Sequence, residues 1–325
     1  MRRRELLVMS AGICVAGALE TVAFGKVARG TIGEADDEAA RSHEAERRFA
    51  TTAFGNIAYV DRGTGTVALF LHGFPLNSFQ WRGAIDRLSS QRRCVAPDFL
   101  GLGHTGIAAG QSVAPHAQAE MLTAFLDRLG IAQVDLIAND SGGAVAQLFL
   151  AKNPQRVRTL LLTNCDVETD SPPAAIAPMV DFARAGLYAD LFLEPWVQHK
   201  DVARSESGLG GLCYVNAADP TDSALEQYLR PLVASPERKA LVNRYMVALA
   251  VNPLQGIEPV LRKCRVPTRI VWGMGDTIFS RRSPDYLAGV LPNISGIRRI
   301  PQAKLFFPEE YPDTIAAEAR LLWKG

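Results

Sequence analysis

The chain has 325 residues, with 35 Lys and Arg against 34 Asp and Glu, and therefore a net charge of +1. So balanced a chain has no global field to gather phosphates, and we expect no nucleic-acid partner. With 48% hydrophobic and 21% charged residues, the composition is that of a globular protein and excludes a disordered or collagen-like chain. Five scattered cysteines without a CxxC pair predict neither a disulfide scaffold nor a zinc site, and we expect no metal or other cofactor.

Residues 1–25 are predicted to be an export signal. Three arginines, Arg2 to Arg4, precede a mildly apolar stretch from Leu6 to Leu19, which looks like a bacterial twin-arginine signal. This stretch is shorter than the roughly 18 to 20 residues that span a bilayer, so we expect no permanent membrane anchor. The expected location is therefore periplasmic or extracellular. The alternative is a wrongly chosen start or a leader helix on a cytoplasmic protein.

The rest of the chain divides into a linker, a core in two parts and an insertion. Residues 26–48 are charged, rich in Ala and contain almost nothing to bury, which predicts a linker. Strand-like and helix-like segments alternate over 49–166 and again over 263–325, as in βαβ units, and this predicts a mostly parallel sheet with helices on both faces. Residues 167–262 are rich in Pro, aromatic and helix-forming residues, which predicts an inserted helical cap.

The predicted elements follow one another at short intervals. In chain order, the predicted strands cover 49–54, 56–63, 66–72, 92–97, 134–139, 157–164, 266–273 and 294–300. The predicted helices of the core cover 78–88, 113–129, 142–152, 281–290 and 312–323. The continuous apolar run TVALFLH at 66–72 is typical of a central strand that is buried on both faces.

Three segments of the core carry chemical motifs. They are HGFPLNSFQW at 72–81, DFLGLGHT at 98–105 and LIANDSGGAVAQ at 136–147. Together they resemble the α/β-hydrolase family, and the resemblance extends over nearly all of the chain from Phe49. It implies the α/β-hydrolase fold, with a mostly parallel eight-stranded sheet, helices on both faces and an inserted helical cap.

The third segment resembles the nucleophile elbow of that family, a sharp strand-to-helix turn with the nucleophile at its apex. The apex residue here is Asp140, and the small residues 141–143 suit so crowded a turn, although Ala138 stands where Gly is usual. An elbow that carries Asp resembles the haloalkane dehalogenase and epoxide hydrolase branch. The resemblance also implies an oxyanion hole formed by the backbone N–H groups of Phe74 and Ser141.

The remaining two members of the family's triad are matched unequally. Asp276 follows the strand TRIVWG and fits the position of the third acid. The catalytic His is expected in a stretch resembling IPxAGHF, but the chain has IPQAKLF, with Lys304 at the usual Gly and Leu305 at the His. No His occurs after His199. A carboxylate with a reference pKa near 3.9 is expected to be ionised and to attack without help, whereas hydrolysis of the resulting ester needs a base.

Four functions remain open at this point. The first is a slow or unconventional hydrolase of an epoxide or ester-like molecule. The second is an isomerase or lyase in which Asp140 is the acid and base, the third a catalytically silent binding protein, and the fourth a structural interaction module. In the first case the candidate replacement bases are Lys304, Glu309, Asp276 and His199.

The expected partner is a small hydrophobic substrate. Trp81, Trp196 and Phe192 are predicted to line an apolar substrate cavity. Dehalogenases of the branch commonly place Trp and Asn where Ser141 and Phe74 stand, so the resemblance disfavours haloalkane dehalogenation. In epoxide hydrolases, cap tyrosines donate to the opening oxygen. The candidates for this role in the cap segment are Tyr188, Tyr214, Tyr228 and Tyr245.

Overall fold

A nine-stranded sheet organises residues 29–324, which are the residues that the computed structural model describes. The strands are β1 (Arg48–Thr52), β2 (Gly55–Arg62), β3 (Val67–Leu71), β4 (Arg93–Pro97), β5 (Gly106–Ile107), β6 (Val134–Asp140), β7 (Val157–Cys165), β8 (Thr268–Gly273) and β9 (Ile294–Ile300). Eight of them lie in the order β1-β2-β4-β3-β6-β7-β8-β9, and the two-residue β5 pairs with β2. The sheet is parallel from β4 to β9 and antiparallel around β2. The predicted fold class is confirmed, with β5 as an addition.

Helices cover both faces of the sheet. The α-helices of the core are α2 (Arg82–Leu88), α3 (Pro115–Arg128), α4 (Ser141–Lys152), α12 (Ser283–Val290), α13 (Phe307–Glu310) and α14 (Pro312–Trp323), and the described part of the chain begins with α1 (Arg29–Glu46). Because β3 is covered on both sides, all five of its residues are buried. Leu69 and Leu71 face one apolar cluster, with α3, α4 and the cap, whereas Ala68 and Phe70 face the other, with α2 and α14.

Helices also fill the segment between β7 and β8, residues 167–262, which we call the cap. They are α5 (Ala177–Arg184), α6 (Glu194–Gln198), α7 (Lys200–Ala203), α8 (Leu209–Cys213), α9 (Asp222–Val233), α10 (Pro236–Ala248) and α11 (Glu258–Leu261), with a π-helical turn over Ala189–Leu193. The only β-pairing here is an isolated bridge between Val167 and Asp170. Buried cap residues such as Leu225 and Val242 join the same apolar cluster as Leu69, so the cap lies over the face that carries α4.

The structure corrects the prediction of a linker over 26–48, because residues 29–46 form α1. Its charges pair with protein groups instead of remaining in water. Asp36 binds Arg82 of the core at 3.0 Å and accepts a hydrogen bond from Thr221 of the cap. His43 is buried and lies 3.1 Å from the hydroxyl of Ser78. The helix therefore contacts the core and the cap together.

The predicted export signal, residues 1–25, lies outside the described residues. Among the helices of residues 29–324, none combines the length and the apolar character that crossing a membrane requires.

Candidate active site

The turn from β6 into α4 has the geometry of a nucleophile elbow. Asp140 has a φ of 54° and is the single non-glycine residue with positive φ among residues 29–324. L-residues adopt this conformation at a cost, and it persists where the surroundings enforce it, often at functional sites. The helix begins so close to β3 that a Cβ atom at Gly142 would lie 2.5 Å from the carbonyl oxygen of His72. The requirement for small residues after Asp140 is therefore met by close backbone packing.

Backbone N–H groups surround the carboxyl group of Asp140. The amide nitrogen of Phe74 donates to its Oδ2 at 2.7 Å, and the amide of Ser141 also binds it. These are the two donors that the sequence predicts for an oxyanion hole. An ester formed on Asp140 would leave its carbonyl oxygen at the same donors, which is where charge develops when a nucleophile attacks that ester.

His72 braces the loop that presents the Phe74 amide. Its Nε2 accepts a hydrogen bond from the Phe99 amide at 3.0 Å, and its Nδ1 lies 2.8 Å from the carbonyl oxygen of Gly73, which it reaches as a donor. Burial lowers the pKa of His72, which favours this neutral form. As expected from the sequence, the residue supports the loop, and it does not line the cavity beside Asp140.

A cavity of about 100 Å³ lies between the elbow and the cap. This is room for about three water molecules. The core contributes Asp140, Ser141, Phe74, Pro75, Asp166, Ile278, Phe279 and Leu305 to its lining. The cap contributes Pro173, Ile176, Met179, Tyr188, Trp196, Leu209, Leu212, Cys213, Met246 and Leu249. The lining is mostly apolar, and within the described part of the chain it includes no Lys, Arg or His.

Asp276 and Leu305 lie near the elbow, where the side-chain amides of two asparagines bind them. Asn164, near the end of β7, donates to Asp276 Oδ2 at 2.7 Å, and the amide of Ile278 donates to Oδ1 at 2.8 Å. Asn139, which precedes Asp140, donates to the carbonyl oxygen of Leu305 at 3.0 Å. The side chain of Leu305 is buried and lines the cavity together with Asp140.

The structure corrects part of the predicted substrate-binding set. Trp196 lines the cavity as predicted. Phe192 does not line it, and its ring packs 5.4 Å from the ring of Tyr188, which does. Trp81 is fully buried on the opposite face of the sheet, where it packs against Phe70. The reason is that residues 78–81 form a 3-10 helix that leads into α2, and α2 covers that opposite face.

Three of the candidate replacement bases point elsewhere. Lys304 donates to the carbonyl oxygen of Gly211 at 2.5 Å, and Glu309 binds Arg82 at 2.7 Å. His199 is exposed at the junction of α6 and α7. None of the three lines the cavity. The sequence alone does not show that these three side chains lie outside the cavity.

The cap tyrosines divide into two pairs. Tyr188 lines the cavity, and the ring of Tyr245 stacks on Phe74 at 5.1 Å. In contrast, the hydroxyl of Tyr214 donates to Glu309 at 2.7 Å, and the hydroxyl of Tyr228 accepts from Arg82. Only the first pair is close enough to the elbow to contribute to its chemistry.

Asp166 was not predicted from the sequence, but it lines the cavity together with Asp140. It follows β7 directly, and the hydroxyl of Ser171 donates to its Oδ1 at 2.7 Å. Gln147 of α4 fixes its backbone by donating to the carbonyl oxygen of Asp166 at 2.8 Å. The order of the strands could have indicated Asp166, because residues at the carboxyl ends of neighbouring parallel strands meet at one edge of the sheet.

Three carboxyl groups therefore share one poorly solvated region without a cation among the lining residues. Burial, followed by the charge of Asp166, raises the pKa of Asp140 well above its ordinary value, although the amides of Phe74 and Ser141 oppose this. Burial raises the pKa of Asp166 to about 7 and that of Asp276 to about 6. This corrects the expectation that Asp140 is simply ionised at neutral pH.

The comparisons with known proteins agree with this fold. Residues 67–193 match the family model described as alpha/beta hydrolase fold. Haloalkane dehalogenase 2 of Mycobacterium tuberculosis is 29% identical over 287 residues, 84% of this chain and 93% of the relative. Epoxide hydrolase 1 of Siraitia grosvenorii is 32% identical over 187 residues, 56% of this chain and 58% of the relative. The solved structure of the epoxide hydrolase CorEH has a TM-score of 0.71 at 20% identity and covers 86% of this chain and 98% of its own.

Proposed function

We propose that this chain, an enzyme with the α/β-hydrolase fold, hydrolyses a small hydrophobic epoxide or ester-like molecule through a covalent ester on Asp140. The observation that supports this most is the placement of the Asp140 carboxyl. It stands at a strained elbow, binds the Phe74 amide at 2.7 Å and faces a mostly apolar cavity under the cap. A helix N-cap needs none of these features, whereas a nucleophile in a water-poor pocket needs all of them.

The first half of the reaction is attack by the ionised carboxylate. An oxygen of Asp140 forms a bond to the substrate carbon, and the bond from that carbon to its leaving oxygen breaks. Because the pKa of Asp140 is raised by burial and by Asp166, the ionised fraction increases with pH. Formation of the covalent adduct with an alkyl halide, whose leaving group needs no proton, should therefore accelerate as the pH is raised above neutrality.

The second half of the reaction is hydrolysis of the ester, and the triad that would catalyse it is incomplete. Leu305 occupies the position where the family's His is expected, so Asp276 has no imidazole to orient. General-base catalysis contributes roughly 10² to 10⁴ in rate, or about 3 to 5 kcal/mol. Without the imidazole, the ester should decay more slowly than it forms, and the adduct should accumulate.

Intact-protein mass spectrometry after incubation with small epoxides and alkyl halides tests the proposal. We expect an adduct that adds the mass of the whole epoxide, or the mass of the alkyl halide less hydrogen halide. It should be located by peptide mapping on Asp140 and be absent in Asp140→Asn. Asp313→Asn is a matched control, because this carboxyl is exposed and pairs with Arg87 far from the cavity. If wild type and control acquire no adduct over the whole panel and pH range, Asp140 is not a nucleophile.

The raised pKa of Asp140 favours a second candidate, proton transfer by a protonated Asp140 in an isomerase or lyase reaction. In that case turnover would be abolished in Asp140→Asn but no covalent adduct would form in wild type. The same mass measurement, combined with a turnover assay, therefore separates the two candidates.

A further inference from the structure

The cavity contains a second carboxyl that the triad pattern does not include. Asp166 and Asp140 both line it, from adjacent strand ends, and the charge of Asp166 is the largest contribution from a neighbouring group to the raised pKa of Asp140. The Ser171 hydroxyl donates to the carboxyl of Asp166, and the side-chain amide of Gln147 donates to its backbone carbonyl oxygen, so both ends of the residue are held in place. In so poorly solvated a cavity, a charge on Asp166 disfavours a charge on Asp140.

Each carboxyl accepts hydrogen bonds that stabilise its anion. Asp140 is bound by two backbone amides, those of Phe74 and Ser141. Asp166 accepts from its own backbone amide and from the Ser171 hydroxyl, which rotates and can also accept. Burial and the charge of Asp166 raise the pKa of Asp140, so a single proton can lie on either carboxyl. The form with the anion on Asp140 and the proton on Asp166 is the one that can both attack a substrate and protonate it.

We propose that Asp166 is the acid and the base of this site, and that the substrate is an epoxide whose opening oxygen takes the proton of Asp166. This inference rests on the proposed function. Asp140 attacks a ring carbon, the bond from that carbon to the ring oxygen breaks, and the oxygen receives the proton. Asp166 is then a carboxylate beside the new ester, in the position of a base.

The second half uses the same group in reverse. Asp166 removes a proton from a water molecule, whose oxygen adds to the carbonyl carbon of the ester while the amides of Phe74 and Ser141 bind the oxyanion. Collapse breaks the bond from the carbonyl carbon to the alkyl oxygen, and that oxygen takes the proton back from Asp166. The diol leaves, Asp140 is a carboxylic acid, and its proton returns to Asp166. The sum is epoxide plus water to diol.

The electrostatics of the cavity favour this substrate class over an alkyl halide. A departing halide carries its charge into a region with three carboxyls, and no Lys, Arg or His lines the cavity in the described part of the chain. An epoxide oxygen remains attached and is neutralised by the proton of Asp166. Around Asp166 the titratable groups are Asp140, Asp170, Tyr245 and Cys165.

Asp166→Asn separates the acid from the nucleophile, with 1,2-epoxybutane and 1-bromobutane as probes. Bromide leaves without a proton, so Asp166→Asn should retain alkylation of Asp140 by 1-bromobutane. The rate should be no lower than in wild type, because the charge that raises the pKa of Asp140 is removed. Alkylation by 1,2-epoxybutane should slow by about 10²-fold or more, and either ester should then decay at least about 10²-fold more slowly than in wild type. In wild type, decay of the ester should follow a titration near neutral pH that Asp166→Asn lacks.

Asp170→Asn is the matched control, because this carboxyl lies in the same loop but accepts from the Ser280 amide at 2.7 Å and does not line the cavity. Its charge contributes to raising the pKa of Asp166, so the control should keep both rates and shift the titration slightly to lower pH. Ser171→Ala is a second variant. Loss of the hydroxyl donor should shift the titration to higher pH, since that donor stabilises the carboxylate.

The outcomes distinguish this inference from the function on which it rests. If Asp140 is alkylated and Asp166→Asn leaves the epoxide rate, the decay rate and the titration unchanged, the role of Asp166 is overturned and the proposed function stands. If Asp166→Asn does not fold, an unchanged titration in Ser171→Ala overturns the role equally. If wild type forms no adduct with either probe, the proposed function fails.

Discussion

Two groups of buried carboxyls in this protein have opposite surroundings. Asp140 and Asp166 line the cavity and Asp276 lies beside it, and no cation of the described residues lines the space. On the other side of the cap, Asp36 and Glu309 both bind Arg82, at 3.0 and 2.7 Å. We call this second group, with Tyr214 and Tyr228, the Arg82 cluster.

The difference between the two groups is one of role. Burial disfavours the charge of Arg82, but Glu309, Tyr228 and Asp36 outweigh this and raise its pKa well above its ordinary value, so Arg82 stays charged. The cluster connects α1, α2, α9 and α13, and a permanent charge suits that structural task. The cavity carboxyls have no such partner. Burial raises the pKa of Asp166 to about 7 and that of Asp276 to about 6, so these two gain and lose protons near neutral pH, which is what proton transfer requires.

The strongest test of this comparison is to give the cavity the imidazole that it lacks. In Leu305→His made on the Asp166→Asn background, where the proposed base is absent, an imidazole between Asp276 and the ester on Asp140 should accelerate decay of the trapped adduct by up to roughly 10² to 10⁴. The hydrogen bond from Asn139 to the carbonyl oxygen of Leu305 keeps the backbone in place for this. Single-turnover decay after removal of excess probe measures the effect.

Leu305→His also replaces a buried apolar side chain, at a cost of about 1 to 3 kcal/mol of stability. Decay must therefore be measured on protein whose circular dichroism matches wild type, with Leu305→Gln as a control that is polar but not basic. A folded Leu305→His whose adduct decays like that of Leu305→Gln would mean that 305 is not the histidine position.

Removal of the cation from the Arg82 cluster should cost stability. Arg82→Met leaves Glu309 and Asp36 buried without their partner, and breaking a buried pair in this way costs about 3 to 5 kcal/mol. Urea unfolding at neutral pH measures this change. Formation of the Asp140 adduct in the folded variant should remain, because the cluster lies outside the cavity.

The cavity carboxyls should make stability depend on pH in a defined direction. The pKa of Asp166 is raised to about 7, so between about pH 4 and pH 7 the folded protein holds a proton that the unfolded chain has released. The free energy of unfolding therefore falls as the pH rises through this range, by on the order of 3 kcal/mol from this group. Asp166→Asn should lack that part of the fall. A parallel pH dependence in both proteins would mean that Asp166 titrates normally.

The smallest effect is expected from an exposed pair on α1. Arg41 and Glu38 form a salt bridge of 2.9 Å in which both side chains are more than two-thirds exposed, 67% and 74%. Such pairs contribute little, so Arg41→Ala should change the free energy of unfolding by about 0.5 kcal/mol or less. This variant is also the control for Arg82→Met, and a comparable loss in both would contradict the distinction between buried and exposed pairs.

The parts of the structure that were predictable depend on neighbours in the sequence. The strand 294–300 and the helix 312–323 were predicted with their observed bounds, because apolar periodicity and turn residues are local. The elbow at Asp140 was also predictable, since the small residues after it report the crowding of the turn.

What was missed depends on distant partners. Asp166 gains its importance from its position across from Asp140, and the helix over 29–46 depends on partners such as Arg82 and Thr221. Trp81 was misplaced for a related reason, because an aromatic residue after the HGFP motif fits either face of a sheet. Only the path of the chain into α2 decides that Trp81 faces away from the cap.

The position of α1 has a consequence for the order in which the protein is completed during synthesis. Asp36 accepts a hydrogen bond from Thr221, which lies 185 residues later in the chain. At synthesis rates of about 5 to 20 residues per second, α1 waits roughly 10 to 40 s for that partner after it has left the ribosome. Its contacts with the cap form only after most of the core and half of the cap have been made, so α1, the first helix of the described residues, is among the last to complete its contacts.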